Sequence, residues 1–181
     1  NKGSFPILNL KKEYREIVKP ANDFFIELDY NAAEARVVLS LLDIDQPEND
    51  IHEYHAKNLY NSTRSEAKKQ FFSWLYNPNS KDEVSSRQYD RNKLLAKYRK
   101  GTTISTPFNR VIECDDFHAF NYLIQSTCAD MVLDRMVVIH EILKERKSRI
   151  AFTLHDSIVL DFSSEDKDLI KQIINAYKET K

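Results

Sequence analysis

Two aspartates stand beside apolar stretches of the sequence, where a carboxylate could bind a cation. Asp29 ends the apolar run FFIEL (24–28), and Asp156 lies between the two apolar runs of IAFTLHDSIVLDF. A carboxylate beside a buried strand is costly unless it is paired or binds a cation. If the strands are neighbours, both could hold Mg²⁺ together with the phosphates of a substrate. Each could equally be a turn residue or a helix cap, because spacing alone does not bring them together.

A second set of residues lies in the stretch TRSEAKKQFFSWLYNP, where two cations and two aromatics recur at four-residue intervals. On a helix each such step drifts by only ~40°, so the four side chains share one arc. A cationic pair one turn apart suits a polyphosphate, and an aromatic face beyond it suits a stacked base. The alternative is a core helix with basic ends. The four residues are Arg64, Lys68, Phe72 and Tyr76, and the adjoining arc that would anchor the helix holds Ala67, Phe71, Trp74 and Leu75.

Two further pairs carry weaker indications. His52 and His55 have metal-ligand spacing, but no carboxylate or thiol is spaced to complete a site, so a structural role is favoured. Asn121 and Gln125 lie one turn apart on a predicted helix. They could contact a nucleic-acid edge or form ordinary hydrogen bonds between helices.

Composition limits the classes of protein. The 181 residues predict about one soluble globular domain, with 41% apolar and 30% charged residues. No apolar run approaches the ~20 residues of a membrane span, and the first residues show no signal-peptide pattern, so a cytoplasmic location is expected. Cys114 and Cys128 form neither a disulfide framework nor a CxxC site. With only Gly3 and Gly101, a glycine-rich phosphate loop is excluded.

The charge distribution is uneven. The net charge is −1, yet residues 64–100 contain ten Lys and Arg against four Asp and Glu. Such a basic stretch can attract phosphates through its local field. An ordinary solvated helical surface is the other interpretation.

The elements predicted to position these residues give an α+β layout. A strand covers 24–28 and ends at Asp29, a helix capped by Asn31 covers 31–43, and another runs from 51 to about 61. A capping box, Thr63-x-x-Glu66, starts the next helix, which stops at Pro78. A polar loop (79–93), a short basic helix ending at Gly101, one long helix (115–147), a β-hairpin around His155-Asp156 and a helix from about 164 to the end complete the prediction.

Taken in order, these segments resemble the sequence motifs of the family A DNA polymerases. LDYNAAEAR resembles motif A, RSEAKKQFFSWLY resembles the fingers helix of motif B, and LHDSIVL resembles motif C. Between them, DIHEYHA resembles the Asp-Ile-His stretch of the family, TPFNR its Thr-x-x-Gly-Arg segment, and NYLIQSTCAD its Asn-x-x-x-Gln helix. The resemblance covers residues 24 to 162. The matching motif positions are Asp29, Glu34, Arg36, Arg64, Lys68, Phe72, Tyr76, His155 and Asp156.

The resemblance implies template-directed addition of deoxynucleotides to a primer 3′-hydroxyl by two-metal nucleotidyl transfer. Asp29 and Asp156 would bind two Mg²⁺ ions, or Mn²⁺ as a substitute, with the carbonyl of Tyr30. Lys68 would bind the triphosphate with Arg64 and act as an acid toward the leaving group.

The same resemblance assigns the contacts to sugar, base and DNA. Phe72 and Tyr76 would line the sugar and base of the dNTP. Glu34 would be a steric gate that, with Tyr76, excludes ribonucleotides, and Phe72 implies discrimination against dideoxynucleotides. The residues expected to contact primer–template DNA are Arg110, Asn121, Gln125 and His155.

The implied fold is a right-hand polymerase palm, a small antiparallel sheet with packed helices, plus a helical fingers subdomain. Residues 1–50 and 106–181 would form the palm and 51–105 the fingers. Thumb and exonuclease domains are expected to lie outside this chain, on the remainder of a longer polymerase or on a partner subunit. A phage source is suggested by the compact, Lys- and Asn-rich sequence. Whether the chain acts alone is left open.

Some positions depart from the family pattern. Ser157 follows the motif C Asp where Glu is usual, and Asn77 and Asn109 stand where Gly is usual. Phe71 and Ser73 replace the usual Asn and Gly around Phe72. Two rival functions therefore remain. One is a non-catalytic nucleic-acid-binding or assembly subunit of a split polymerase, and the other is a single-subunit RNA polymerase, against which Glu34 argues.

Overall fold

The computed structural model describes residues 12–179 and divides the chain into two compact units. Among the described residues, the first unit comprises 12–29 and 131–179, and the second comprises Tyr30–Asp130. The first eleven residues of the predicted 1–50 region and the last two of the predicted C-terminal helix lie outside the described residues. The boundaries assigned to palm and fingers stay a prediction.

The first unit contains a three-stranded antiparallel sheet in the order β1-β6-β5. Strand β1 is Phe24–Asp29, β5 is Arg149–Leu154 and β6 is Ser157–Phe162. The central strand β6 is buried along its whole length, which explains the apolar run Ile158–Leu160 at its centre. The predicted strand ending at Asp29 and the predicted hairpin are therefore confirmed.

Helical segments complete the first unit. They are a 3₁₀ helix (Lys12–Ile17), the C-terminal half of helix α6 (Ala119–Leu143), a second 3₁₀ helix (Ser164–Leu169) and helix α7 (Ile170–Lys178). Two buried carboxylates in this unit accept backbone N–H groups, Asp166 from Ser148 at 2.7 Å and Asp161 from Asn22 at 2.8 Å. Because their lone pairs are satisfied in this way, these carboxylates can be buried at modest cost.

The second unit is mainly helical. Its small antiparallel sheet has the order β2-β3-β4. The elements, in chain order, are α1 Ala33–Leu41, α2 Ile51–His55, a π-helical turn Ala56–Tyr60, α3 Arg64–Tyr76, α4 Glu83–Gln88, α5 Arg91–Tyr98, β2 Arg99–Lys100, β3 Thr103–Ser105, β4 Val111–Glu113 and the start of α6 Ala119–Leu143. Over residues 12–179 the fold is thus α+β, which is the predicted class, and it has two small antiparallel sheets and seven α-helices.

Helix α3 begins and packs as its sequence predicts. Thr63 Oγ1 accepts a hydrogen bond from the N–H of Glu66, whose Oε2 accepts from the Thr63 N–H at 3.0 Å, so the capping box is present. The helix ends at Tyr76, two residues before Pro78. The four residues of the anchoring arc, Ala67, Phe71, Trp74 and Leu75, are all buried.

Three local predictions were wrong. The predicted polar loop 79–93 contains α4 and the start of α5, each begun by an aspartate, Asp82 or Asp90, that accepts a backbone N–H three residues on. The predicted cap of α1, Asn31, is replaced by Ala32 in a left-handed conformation. The basic helix ends at Tyr98 because residues 99–100 form β2. These elements are short, so they contain too few residues for a periodic pattern of apolar side chains to predict them.

Between residues 12 and 179, no helix combines the length and the apolar character needed to cross a bilayer.

A buried cluster of rings surrounds the two histidines of α2. His55 Nε2 lies 2.7 Å from the Tyr89 hydroxyl, and the His55 ring lies 4.8 Å from that of Phe71. Both ring nitrogens of His52 are buried with no hydrogen-bond partner among the described residues. Burial lowers the pKa of His55 to about 4 and also lowers that of His52. The packing matches the structural role favoured for these histidines.

We expect acid to destabilise the chain through His55. Its pKa is depressed on folding, so its neutral form favours the folded state fully above about pH 6.5, and this stability falls as the pH drops from there toward 4. At ~1.4 kcal/mol per pKa unit, the full loss is about 3 kcal/mol. Urea unfolding at pH 7, 6 and 5 measures it. His55→Phe should give a shallower pH dependence despite lower overall stability, and an equal slope in both proteins would contradict the assignment.

Candidate active site

Two aspartates lie at one end of the sheet in the first unit. Asp29 is the last residue of β1 and pairs with Ser157, the first residue of β6. Asp156 immediately precedes Ser157 in the two-residue turn of the hairpin, so both aspartates lie at the same end of adjacent strands. The condition that the sequence left open, that the two strands are neighbours, is therefore met. Roles for the aspartates in metal binding stay a prediction.

The hairpin turn has a constrained backbone and is held in place by a hydrogen bond from α7. His155 has a φ of 55°, in the left-handed region. The hydroxyl of Tyr177 on α7 donates a hydrogen bond of 2.9 Å to the carbonyl oxygen of Asp156. The backbone at Asp156 is therefore fixed by α7, which limits where its carboxylate can go.

The chemistry of this edge fits Mg²⁺. Carboxylate oxygens are the ligands that Mg²⁺ prefers, and it commonly binds one or two of them together with water and substrate phosphates. Among residues 12–179 there is no group of three or more His, Cys, Asp or Glu placed to hold a metal ion. Two carboxylates are enough for an Mg²⁺ ion that completes its coordination with water and substrate phosphates.

In the second unit, α3 presents the predicted row of cations and aromatics away from the core. Arg64 and Lys68 are exposed, Phe72 is half-buried and Tyr76 is 41% exposed. The Phe72 and Tyr76 rings stack with centroids 5.8 Å apart, and Lys68 Nζ lies 5.8 Å from the Phe72 ring. Since the anchoring arc supplies the buried contacts, this row remains accessible to a ligand.

Arg64 is held by a carboxylate that sequence reasoning assigned no role. Its Nε and Nη2 donate to the two oxygens of Asp50 at 3.1 and 2.7 Å. The same carboxylate caps α2 by accepting the N–H groups of His52 and Glu53, each at 2.9 Å. The Arg64 hydrogen bond is the largest cause that holds the pKa of Asp50 well below its usual value. Asp50 thus orients the guanidinium of Arg64. The sequence signal that could have identified Asp50 is its position immediately before α2, where an aspartate is a favoured helix cap.

Tyr76 joins α3 to α1 and α6. Its hydroxyl donates a short hydrogen bond to Glu34 Oε2, and the Gln125 side chain also hydrogen-bonds the phenol. Burial raises the pKa of Tyr76, and the Glu34 carboxylate raises it further, so the phenol stays protonated and keeps donating. On α6, one turn before Gln125, Asn121 Oδ1 is buried without a hydrogen-bond partner among the described residues.

Arg110 occupies a separate cluster in the second unit. Its Nε donates to Asp130 Oδ1 at 2.7 Å, while Thr106 Oγ1 donates to the other oxygen of this buried carboxylate at 2.7 Å. Asn109 has a φ of 65°, which lies in the left-handed region. Glycine adopts this conformation most easily and asparagine also tolerates it, so asparagine can stand where the resembling motif has glycine. The guanidinium of Arg110 is fixed but remains about half exposed.

The predicted residues therefore form separate groups. Asp29, Asp156 and His155 belong to the sheet end of the first unit. In the second unit, Glu34, Tyr76 and Gln125 come together around one phenol. The α3 row forms the next group, and Arg110 belongs to the cluster around Asp130. Residues that contact these groups but were not predicted are Tyr177, Asp50 and Asp130.

Comparison with solved structures finds chains of similar fold. The chain resembles the POL domain of Pol1 from M. smegmatis, solved as a complex with DNA primer-template and dNTP, with a TM-score of 0.66 and 15% sequence identity. The match covers 84% of this chain and 36% of that one, so this chain spans about a third of the length of the neighbour. No protein-family model matches the chain, and no curated protein matches its sequence. At this identity the likeness concerns the fold.

Proposed function

We propose that the chain is the palm-and-fingers part of a template-directed DNA polymerase, which adds deoxynucleotides to a primer 3′-hydroxyl. The observation that carries the proposal is the pairing of β1 with β6, which sets Asp29 beside Asp156 at one end of a sheet. Its fold resembles a polymerase domain solved with primer-template and dNTP, which supports the same conclusion. In this proposal the sheet of the first unit belongs to the palm, and α3 belongs to the fingers.

In the proposed reaction, Asp29 and Asp156 would hold two Mg²⁺ ions, with help from the Tyr30 carbonyl. When bound, the ions supply activation of the primer hydroxyl and neutralisation of the pyrophosphate. Arg64, oriented by Asp50, and Lys68 bind the triphosphate. The Lys68 ammonium donates a proton to the leaving pyrophosphate oxygen.

The remaining side chains select and orient substrates. Phe72 and Tyr76 present their stacked rings to the sugar and base of the nucleotide. Primer–template DNA is bound by polar side chains that include a guanidinium fixed by Asp130. These DNA-binding residues are Arg110, Asn121, Gln125 and His155. Other parts of a longer polymerase, or a partner subunit, would supply the thumb.

Glu34→Ala is expected to admit ribonucleotides. The hydrogen bond from Tyr76 fixes the Glu34 carboxylate, and we propose that this carboxylate occupies the space a ribose 2′-hydroxyl would need. The ratio of kcat/KM for dATP to that for ATP measures the effect and should fall by about 10²-fold or more. Tyr76→Phe, which removes only the hydrogen bond, should lower the ratio less. An unchanged ratio in Glu34→Ala would exclude this steric role.

Primer extension on a primed template with Mg²⁺ and dNTPs tests the function, with wild type beside Asp156→Ala. Template-directed extension that disappears in the variant would support the proposal. Extension that persists in the variant would contradict the assigned metal site. If neither protein extends the primer, the same pair is tested within the full-length gene product, where absence of activity would exclude the polymerase function.

A second candidate is a nucleic-acid-binding subunit that has lost catalysis. Ser157, where the resembling motif usually has Glu, favours it, because one acidic group is missing from the hairpin. Primer–template binding with no metal-dependent incorporation in the full-length product would support this candidate.

A further inference from the structure

A third carboxylate lies on the same face of β1 as Asp29. Side chains alternate across a strand, so residues two apart share a face. Phe25, Glu27 and Asp29 therefore lie on one face, and the intervening Leu28 is buried on the other. Glu27 is two residues from Asp29, or ~7 Å along the strand.

Glu27 is joined to the hairpin by a direct side-chain contact. Ser157 Oγ lies 2.8 Å from Glu27 Oε1 and 2.9 Å from the carbonyl oxygen of Leu154. The serine hydroxyl has one proton, and an ionised carboxylate is the stronger acceptor. Ser157 is 1% exposed, so its hydroxyl is a fixed partner for Glu27.

Ser157 also connects Glu27 to both proposed metal ligands. It pairs with Asp29 across the sheet and follows Asp156 in the chain. Glu27 lies two residues before Asp29 on the same face of β1, so its carboxylate is close enough to act on a cation bound at Asp29 through its charge or through a bridging water.

We propose that Glu27 is a positioning residue for the reaction proposed above, on which this inference rests. Its carboxylate, held by Ser157, supplies the additional negative charge that increases the affinity of the Asp29–Asp156 edge for divalent cations. The hairpin of this chain carries a hydroxyl at position 157, and the facing strand carries the carboxylate that bonds it. Outer groups that hydrogen-bond metal ligands typically change metal affinity by about 10- to 100-fold, and for Glu27, which acts through its charge, we expect the lower end of this range.

The test is Mn²⁺ binding by the full chain, measured by the electron paramagnetic resonance of free Mn²⁺ at fixed ionic strength. Glu27→Gln keeps the shape and a hydrogen bond to Ser157 but removes the charge, so the dissociation constant should rise about tenfold. Primer extension should then need more Mg²⁺ for half-maximal rate, with the rate at saturating Mg²⁺ little changed. Glu165→Gln is the matched control, because Glu165 is an exposed glutamate beyond the opposite end of β6.

An exchange variant tests the contact itself. Glu27→Ser combined with Ser157→Glu swaps the hydroxyl and the carboxylate across the same contact, and should recover most of the Mn²⁺ affinity that Glu27→Ser alone loses. A merely structural role for Glu27 would affect the free energy of unfolding and leave Mn²⁺ affinity unchanged. Circular dichroism and urea unfolding of each variant separate the two effects.

Asp156→Asn separates failure of this inference from failure of the proposed function. If Asp156→Asn abolishes Mn²⁺ binding and Glu27→Gln binds Mn²⁺ as wild type does, the role of Glu27 is overturned and the metal site stands. If Asp156→Asn leaves Mn²⁺ binding unchanged, the metal site and the role of Glu27 are both overturned.

Discussion

Asp29→Asn is expected to reduce Mg²⁺-dependent nucleotide incorporation by about 10³-fold or more. Asp29 is held at the end of β1 by its pairing with Ser157, so the asparagine should keep the strand in place and change only the charge. Once that charge is lost, Asp156 is the one carboxylate that remains of the two proposed to bind metal. Single-turnover primer extension at saturating dNTP measures the rate.

A double variant tests whether the two aspartates act as one site. Because both are proposed to hold the same metal ions, Asp29→Asn with Asp156→Asn should lose little more activity than either single variant. Asp168→Asn is the control, since this exposed aspartate follows the opposite end of β6. Losses that multiply in the double variant, or an equal loss in the control, would contradict a shared site.

Lys68→Ala is expected to lower the incorporation rate by about 10²- to 10³-fold. The lysine lies on the exposed row of α3, one turn after Arg64 and one turn before Phe72, and is proposed both to bind the triphosphate and to protonate the leaving group. Lys69→Ala is a matched control on the same helix, where a step of one residue turns the side chain by ~100°. Comparable losses in the two variants would show that α3 contributes only general positive charge.

Lys68→Arg separates binding from proton donation. Arginine keeps the positive charge but holds its proton at any working pH. The KM for dNTP should therefore stay near the wild-type value while kcat falls. A wild-type kcat in Lys68→Arg would remove the acid role and leave a purely electrostatic one.

Elements with strong local patterns were determined by the sequence alone. The apolar run before Asp29 gave β1, two apolar runs flanking a two-residue turn gave the hairpin, and the Thr63–Glu66 pair gave the start of α3. The buried face of α3 also followed from the helical period. In each case the information lies within a few residues, because hydrogen bonding in turns and caps and the periodicity of burial are local properties.

Other short elements of the second unit were beyond reach of the same reasoning. Helix α4 has six residues, and strands β2 to β4 have two or three. Such segments span fewer than two periods of helix or strand, which is too few for a pattern of apolar residues to stand out. They are stabilised by tertiary packing, as at the buried Tyr89 and Ile104, more than by their own propensity.

Only the tertiary structure decided which charged groups meet. The register of β1 with β6 places Asp29 beside the Asp156 turn and brings Glu27 to Ser157. Contacts across the second unit pair Asp50 with Arg64. These partners are far apart in the chain, and a hydrogen bond between side chains leaves no periodic mark on the sequence around it. The sequence determined which residues could perform chemistry. Strand pairing and helix packing determined which of these residues share a site, because pairing and packing both depend on contacts between distant parts of the chain.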